Sequence, residues 1–237
     1  MRAKFPAVKL PPADESNLIV RAYRSLQNEF SDLGGVEVQL QKAIPLGAGL
    51  GGGSSNAAAF LTGMVRLYGL KISRKKLIKI GAGLGADVPF FILDVNQAVA
   101  QGIGEKLRPV PVKQPLNFLL IIDNKGLMTK KVYEILPRKR ASGSLTKLEH
   151  TVKIIRNLLE EKDLQRLADH LHNDLEAPAF YLRPSLPAKL KRLRKLGITT
   201  ARLSGSGPTV FAVLSDPKKA KQIAQKIRGR TVICHTY

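Results

Sequence analysis

The chain has 237 residues, 39 Lys and Arg against 18 Asp and Glu, a formal net charge of +21, 44% hydrophobic residues, 5% aromatic residues and no Trp. That length and apolar content make a globular protein of one large domain or two modest ones, and the single Cys234 excludes an internal disulfide. No apolar run reaches membrane-spanning length and the first residues lack the apolar core of a secretory leader, so a cytoplasmic location and no membrane partner are expected.

The chain opens on a predicted helix over 17–33, with Leu18, Ala22, Leu26 and Phe30 inward, stopped by Gly34 and Gly35. Val36, Val38 and Leu40 alternate with Glu37, Gln39 and Gln41, which predicts a half-buried strand. A glycine-rich stretch follows, then a helix over 56–68 ended by Gly69. Ser73 is placed to cap a short basic helix running to Gly81 or Gly83. Pro109, Pro111 and Pro115 mark a boundary, giving domains at 1–112 and 113–237.

The second half begins with an apolar strand over 117–122 and a helix over 129–136, stopped by Pro137; a loop over 137–144 follows. Helices are predicted over 148–160, 163–171 and 187–196. Strands over 198–203 and 209–214 flank Ser204-Gly-Ser-Gly-Pro208, and a helix over 218–228 and a strand over 231–237 close a small α+β layer. Cys234 falls in that last strand and reads as a packing thiol.

Much of the positive charge lies on these amphipathic helices, as where Lys189, Lys191, Arg192, Arg194 and Lys195 surround Leu190 and Leu193. It reads as solvated faces that steer anionic substrates. With few aromatic side chains to stack on bases, no specific nucleic-acid partner is expected.

Chemistry concentrates in Pro45, Leu46, Gly47, Ala48, Gly49, Leu50, Gly51, Gly52, Gly53, Ser54 and Ser55, between the predicted strand and an Ala-rich helix. Glycines bring backbone amides close to a ligand, and a helix N-terminus adds unpaired N–H groups and a positive dipole end, a nest suited to phosphate oxygens. Ser54 and Ser55 fit a helix cap, a phosphate donor or a metal-ligand hydroxyl equally. The stretch is neither a Walker A loop, which needs Gly-Lys-Ser/Thr, nor a dinucleotide fingerprint, since no acidic residue falls between Leu67 and Lys79. His170 and His172 are two apart and share no helix face, so they are not a chelating pair.

Gly85-Ala-Asp-Val-Pro89, Asn173-Asp-Leu-Glu176 and Leu203-Ser-Gly-Ser-Gly-Pro-Thr-Val-Phe211, with Asn17-Leu-Ile-Val-Arg-Ala22 and Gly102-Ile-Gly-Glu105, resemble signatures of the GHMP kinases, in the family's order and over nearly the whole chain. The resemblance implies an α+β, two-domain GHMP kinase fold: a ribosomal-protein-like β/α domain at 1–112 and a ferredoxin-like α+β domain at 113–237. It implies ATP and Mg²⁺, and transfer of phosphate to a hydroxyl on the methylerythritol part of a cytidine diphosphate conjugate. A kinase of the same family acting on homoserine, mevalonate or a sugar is the alternative, and a basic nucleic-acid-binding protein the rival from another class.

By match to the family, Pro45 to Ser55 hold the ATP phosphates and Asp87 accepts or orients the substrate hydroxyl; without the match Asp87 reads as a capping or turn residue. Ser204, Gly205, Ser206 and Gly207 form a second substrate or phosphate loop or, on residue type alone, a tight turn. Asn173 and Asp174 are assigned a supporting role. The family's opening strand with its catalytic lysine is not matched, and Lys4 lies too close to Asn17 to replace it. The chain is therefore expected to be N-terminally incomplete and impaired in turnover. Oligomeric state is left open.

Overall fold

The structure is a computed structural model that describes residues 9–102, 104–110, 115–123, 125–136 and 145–236, without the side chains of 145–148. Lys4, the boundary residues at 111–114, the predicted loop at 137–144 and Tyr237 lie outside the described residues. The chain forms two compact units, Met1–Leu46 with Gly51–Pro111, and Gly47–Leu50 with Val112–Tyr237.

In the first unit, α1 (Leu18–Gln27) starts where the Asn17 side chain accepts the Ile19 N–H at 3.0 Å. It ends six residues before the predicted Leu33, because the chain turns after Asn28 with the Phe30 N–H returning to the Leu26 carbonyl. α2 (Gly52–Leu67) buries Ala57, Ala58, Leu61 and Met64 along one stripe. α3 (Arg74–Leu84) is capped by Ser73, which accepts the Lys76 N–H at 3.2 Å. It runs through Gly81 instead of stopping there. A Cβ on Gly81 would fall 2.6 Å from Ile92 and 3.0 Å from Val88, so the glycine lets α4 (Val88–Leu93) pack against α3. The four helices share a core in which Ala22, Leu26, Ala57 and Leu61 are fully buried; each leucine contributes about 1.5–3 kcal/mol. A two-stranded antiparallel hairpin, β1 (Ala98–Gln101) and β2 (Lys106–Pro109), completes the described part.

The predicted strand over 36–41 is not formed. A strand needs a ladder partner for its main chain, and among the described residues nothing pairs with this segment. Val36 and Val38 remain 36% and 45% exposed, bordering a cavity of about 580 Å³ with Leu10, Ile19, Tyr23 and Phe60.

The second unit is built on β3 (Asn117–Ile122), which occupies its predicted range. After it come α5 (Thr129–Ile135), α6 (Leu145–Glu160), α7 (Leu164–His170), α8 (Glu176–Leu182), which has no counterpart among the predicted elements, and α9 (Leu186–Lys195). β4 (Arg202–Leu203), β5 (Val210–Leu214), α10 (Pro217–Lys226) and β6 (Arg230–His235) follow. The sheet is antiparallel in the order β4-β5-β3-β6, the ferredoxin-like arrangement. Alternation along the strands feeds two cores: Leu119, Ile121, Ala212 and Leu214 pack with α8 to α10, while Phe118 and Val213 pack with Leu158 and Leu167 of α6 and α7.

β4 is shorter than predicted because Ile198 and Thr200 are used otherwise: Ile198 packs into the core and the Thr200 hydroxyl donates to the Val213 carbonyl at 2.8 Å. Cys234 is half-buried in β6, and burial pushes its thiol pKa up, as suits a packing group. No described helix is long and apolar enough to cross a membrane.

Candidate active site

The glycine-rich stretch divides between the units. Gly47, Gly49 and Gly51 all have positive φ, at 63°, 75° and 64°. The turn Gly47–Leu50 belongs to the second unit and is held there by main chain: Leu127 N–H donates to the Gly47 carbonyl at 3.0 Å and Thr209 N–H to the Ala48 carbonyl at 3.3 Å. At Gly49 the packing is closer still. A Cβ there would collide with the Ser204 carbonyl and stand 2.8 Å from the Gly207 carbonyl, so no other residue fits without moving backbone.

The sequence separates the two glycine motifs by some 150 positions, and the fold seats one on the other. Ser204 Oγ donates to the Gly49 carbonyl at 2.8 Å. Within its own loop, Ser204 N–H reaches the Thr209 carbonyl at 2.9 Å and Gly207 N–H the Ser204 carbonyl at 2.8 Å. Ser206 is buried and shares a 3.0 Å hydrogen bond with Thr129. Both hydroxyls are thus engaged in hydrogen bonds inside the protein. Thr209 is fully buried, and its hydroxyl has no partner among the described residues.

The supporting role expected of Asn173 takes the form of hydrogen bonds to the Ser204 loop. The Asn173 amide donates to the Leu203 and Gly205 carbonyls, both at 2.9 Å, while its oxygen accepts the Leu175 N–H at 3.0 Å. Glu176 Oε1 accepts the Leu203 N–H at 2.8 Å. These two side chains hold the Ser204–Gly207 loop from one side. Asp174 lies apart from this, exposed and 2.7 Å from His172.

In the first unit, α2 begins at Gly52, four residues earlier than predicted, with Gly51 as its cap residue and no side-chain cap. Neither Ser54 nor Ser55 is the cap; they stand in the first turn, where Ser55 Oγ turns back to the Gly52 carbonyl at 3.3 Å. The N–H groups of Gly52 to Ser54 have no acceptor within the helix, while the Ser55 N–H donates to the Gly51 carbonyl at 2.9 Å. Lys42, not singled out from the sequence, stands over this turn: its ammonium donates to the Gly52 carbonyl at 3.1 Å and to Asn56 Oδ1 at 2.8 Å. No carboxylate pairs with it among the described residues, and burial pushes its pKa below the ordinary lysine value. The only signal for it in the sequence was a cation three residues before the loop.

Asp87 begins α4, is exposed, and makes no side-chain hydrogen bond to that helix, so the capping alternative lacks its defining contact. Its stretch lies beside α2: a Cβ on Gly85 would be 3.9 Å from Ser54 Oγ, and a Cβ on Gly51 would be 3.0 Å from the Phe91 ring. Residues 54 and 85 therefore lie near one another within the first unit, with Asp87 two positions further along the chain. The first unit thus holds helix-start amides without an intrahelical acceptor, a lysine ammonium and an exposed carboxylate; no group of three His, Cys, Asp or Glu among the described residues could hold a metal.

The family described as GHMP kinases N terminal domain matches residues 17–94, and that described as GHMP kinases C terminal matches residues 154–232. The 4-diphosphocytidyl-2-C-methyl-D-erythritol kinase of Lachnospira eligens is 36% identical, covering 92% of this chain and 74% of its own. That of Syntrophus aciditrophicus is 39% identical, covering 92% and 75%. Among solved structures, a 4-(cytidine 5'-diphospho)-2C-methyl-D-erythritol kinase superposes with a TM-score of 0.74 at 33% identity, over 95% of this chain and 80% of that one. A homoserine kinase from Cytophaga hutchinsonii reaches 0.73 at 20% identity, over 97% and 78%, a likeness of fold alone. With both family regions matched and relatives aligned over most of their own length, the chain belongs to the GHMP kinase family, among the 4-diphosphocytidyl-2-C-methyl-D-erythritol kinases.

Proposed function

We propose that this chain transfers the γ-phosphoryl group of ATP to a hydroxyl of 4-diphosphocytidyl-2-C-methyl-D-erythritol, in the cytoplasm, with 1–112 as the nucleotide-binding part and 113–237 as its C-terminal partner domain. The observation that carries it is the uncapped start of α2 beneath Lys42, beside the stretch that bears Asp87. In the reaction a bond forms from the substrate oxygen to the γ-phosphorus and the bond to the β,γ-bridging oxygen breaks; ADP leaves and the hydroxyl proton passes to an acceptor. Such a step asks the protein chiefly for positioning and charge neutralisation.

The amides of Gly51 to Ser54 receive phosphate oxygens, the Ser55 N–H being taken by the Gly51 carbonyl, and Lys42 meets their charge. A phosphate within reach offsets the desolvation that lowers the lysine pKa and so keeps the ammonium protonated. The amides of Gly205 and Ser206 are the second donor set, held by Asn173 and Glu176. Asp87 accepts or orients the hydroxyl proton; its exposure leaves it open to substrate. Ser54 is the residue that would hold Mg²⁺, since the Ser55 hydroxyl is drawn to the Gly52 carbonyl. When bound it supplies neutralisation of charge on the transferring group.

The test is ADP release with 4-diphosphocytidyl-2-C-methyl-D-erythritol, run beside homoserine, mevalonate and galactose. Turnover with the cytidine conjugate alone is expected; turnover with another alcohol instead overturns the substrate. Asp87→Asn is expected to lower kcat by about 10²–10⁴-fold with ATP affinity nearly unchanged. An unchanged kcat removes Asp87 from the chemistry.

A further inference from the structure

The second unit holds a concave site apart from the β4–β5 loop. It is a cavity of about 360 Å³ on the β3–β6 side of the sheet, formed by the end of β3, by α9 and by the turn from α10 into β6. Its inner wall is apolar: Ile122 and Leu193 are buried and Ile227 is partly so. Lys125, Lys189, Arg192 and Arg228 surround that wall. One carboxylate, Asp123, lines it, and that group is already engaged by Lys189 at 2.7 Å and Arg183 at 3.3 Å. Lys125, Arg192 and Arg228 have no carboxylate partner among the described residues. Arg192 is also fixed in place, because its guanidinium donates to the Lys226 carbonyl at 2.6 Å and keeps its other N–H groups for an acceptor.

Cations brought from three elements to one hollow repel one another unless an anion joins them, and a hollow with low-dielectric walls concentrates their field. An inorganic anion would satisfy the charges and leave the apolar wall unused. A hydrocarbon would fill the wall and leave the charges. We infer that this cavity binds a phosphate monoester with a short apolar body, its phosphate on Arg192, Arg228 and Lys125 and its hydrocarbon against Ile122, Leu193 and Ile227. The volume is at the small end of ligand pockets, about 300–1,000 Å³, which favours a short chain over a nucleotide. The inference is independent of the reaction proposed above, since none of these residues belongs to the glycine loops.

The probes are inorganic phosphate, methyl phosphate, hexyl phosphate and hexanol, titrated by calorimetry into the whole chain. Hexyl phosphate is expected to bind best, with each added methylene tightening binding by up to about fourfold. The double variant Arg192→Gln/Arg228→Gln is expected to weaken it by about tenfold or more, while Lys218→Gln/Lys219→Gln, on another part of the surface, changes it little. Methyl NMR supplies a reading that needs no variant: hexyl phosphate should shift the Ile122 and Ile227 signals. Equal affinity for inorganic and hexyl phosphate, equal weakening in both double variants, or unmoved isoleucine signals would each overturn the inference.

Discussion

The two glycine-rich loops that meet in the second unit are built in opposite ways. The turn at Gly47–Leu50 is locked chiefly by main chain packed on main chain, with Ser204 Oγ added at the Gly49 carbonyl and no room for a side chain at Gly49 itself. The loop at Ser204–Gly207 is braced by side chains, Asn173 and Glu176 on one side and Thr129 against Ser206. A steric lock fails abruptly when atoms are added. A brace of hydrogen bonds fails gradually as donors are removed.

The largest effect should come from the lock. Gly49→Ala places a Cβ into backbone atoms at a φ of 75°, and is expected to cost roughly 3 kcal/mol or more, seen as a lower denaturation midpoint and a lost response of that midpoint to ATP. If the variant keeps full stability and ATP stabilisation, the turn is not locked and the contrast fails. The brace should show a smaller loss. Asn173→Ala removes two donors to the loop, at about 1 kcal/mol each, and should raise KM for ATP or substrate before it unfolds the chain. A fall in thermal stability with unchanged kinetics would make Asn173 purely structural.

The smallest effect lies away from both loops, and sharpens the contrast by setting a baseline. Burial alone would raise the pKa of Asp123, yet its hydrogen bond from Lys189, the Lys125 N–H and the charges of Lys189 and Arg183 together hold it below the ordinary 3.8. A depressed carboxylate stabilises the fold above its unfolded pKa and loses that contribution as pH falls through the folded value. Asp123→Asn should therefore cost about 1 kcal/mol or less at pH 7, a deficit that fades below about pH 4, as urea titrations at several pH values would show.

Where a signal is local, the sequence was legible. Ser73 as a cap, the strand at Asn117–Ile122, and the stripe of Leu190 with Leu193 all formed as periodicity and capping chemistry require. Where local pattern met missing or competing partners, it misled. Val36, Val38 and Leu40 have the alternation of a strand but no ladder, and of the two glycines read as a stop, Gly81 became the contact point of two helices while α3 ends one residue past Gly83. α8 was missed because Glu176–Leu182 is short and contains Pro178.

The amino-acid order alone determined that five glycines run into an Ala-rich stretch, and that Gly85-Ala-Asp-Val-Pro89, Asn173-Asp-Leu-Glu176 and the Ser204 loop stand in a family's sequence. Only tertiary structure decided that Ser204 grips Gly49, that Asn173 supports residues thirty positions away, and that Lys42 stands over the first turn of α2. The physical reason is reach. Capping and periodicity act over three or four residues and can be read in order, whereas these contacts join segments whose meeting depends on how whole sheets and helices bury their apolar faces.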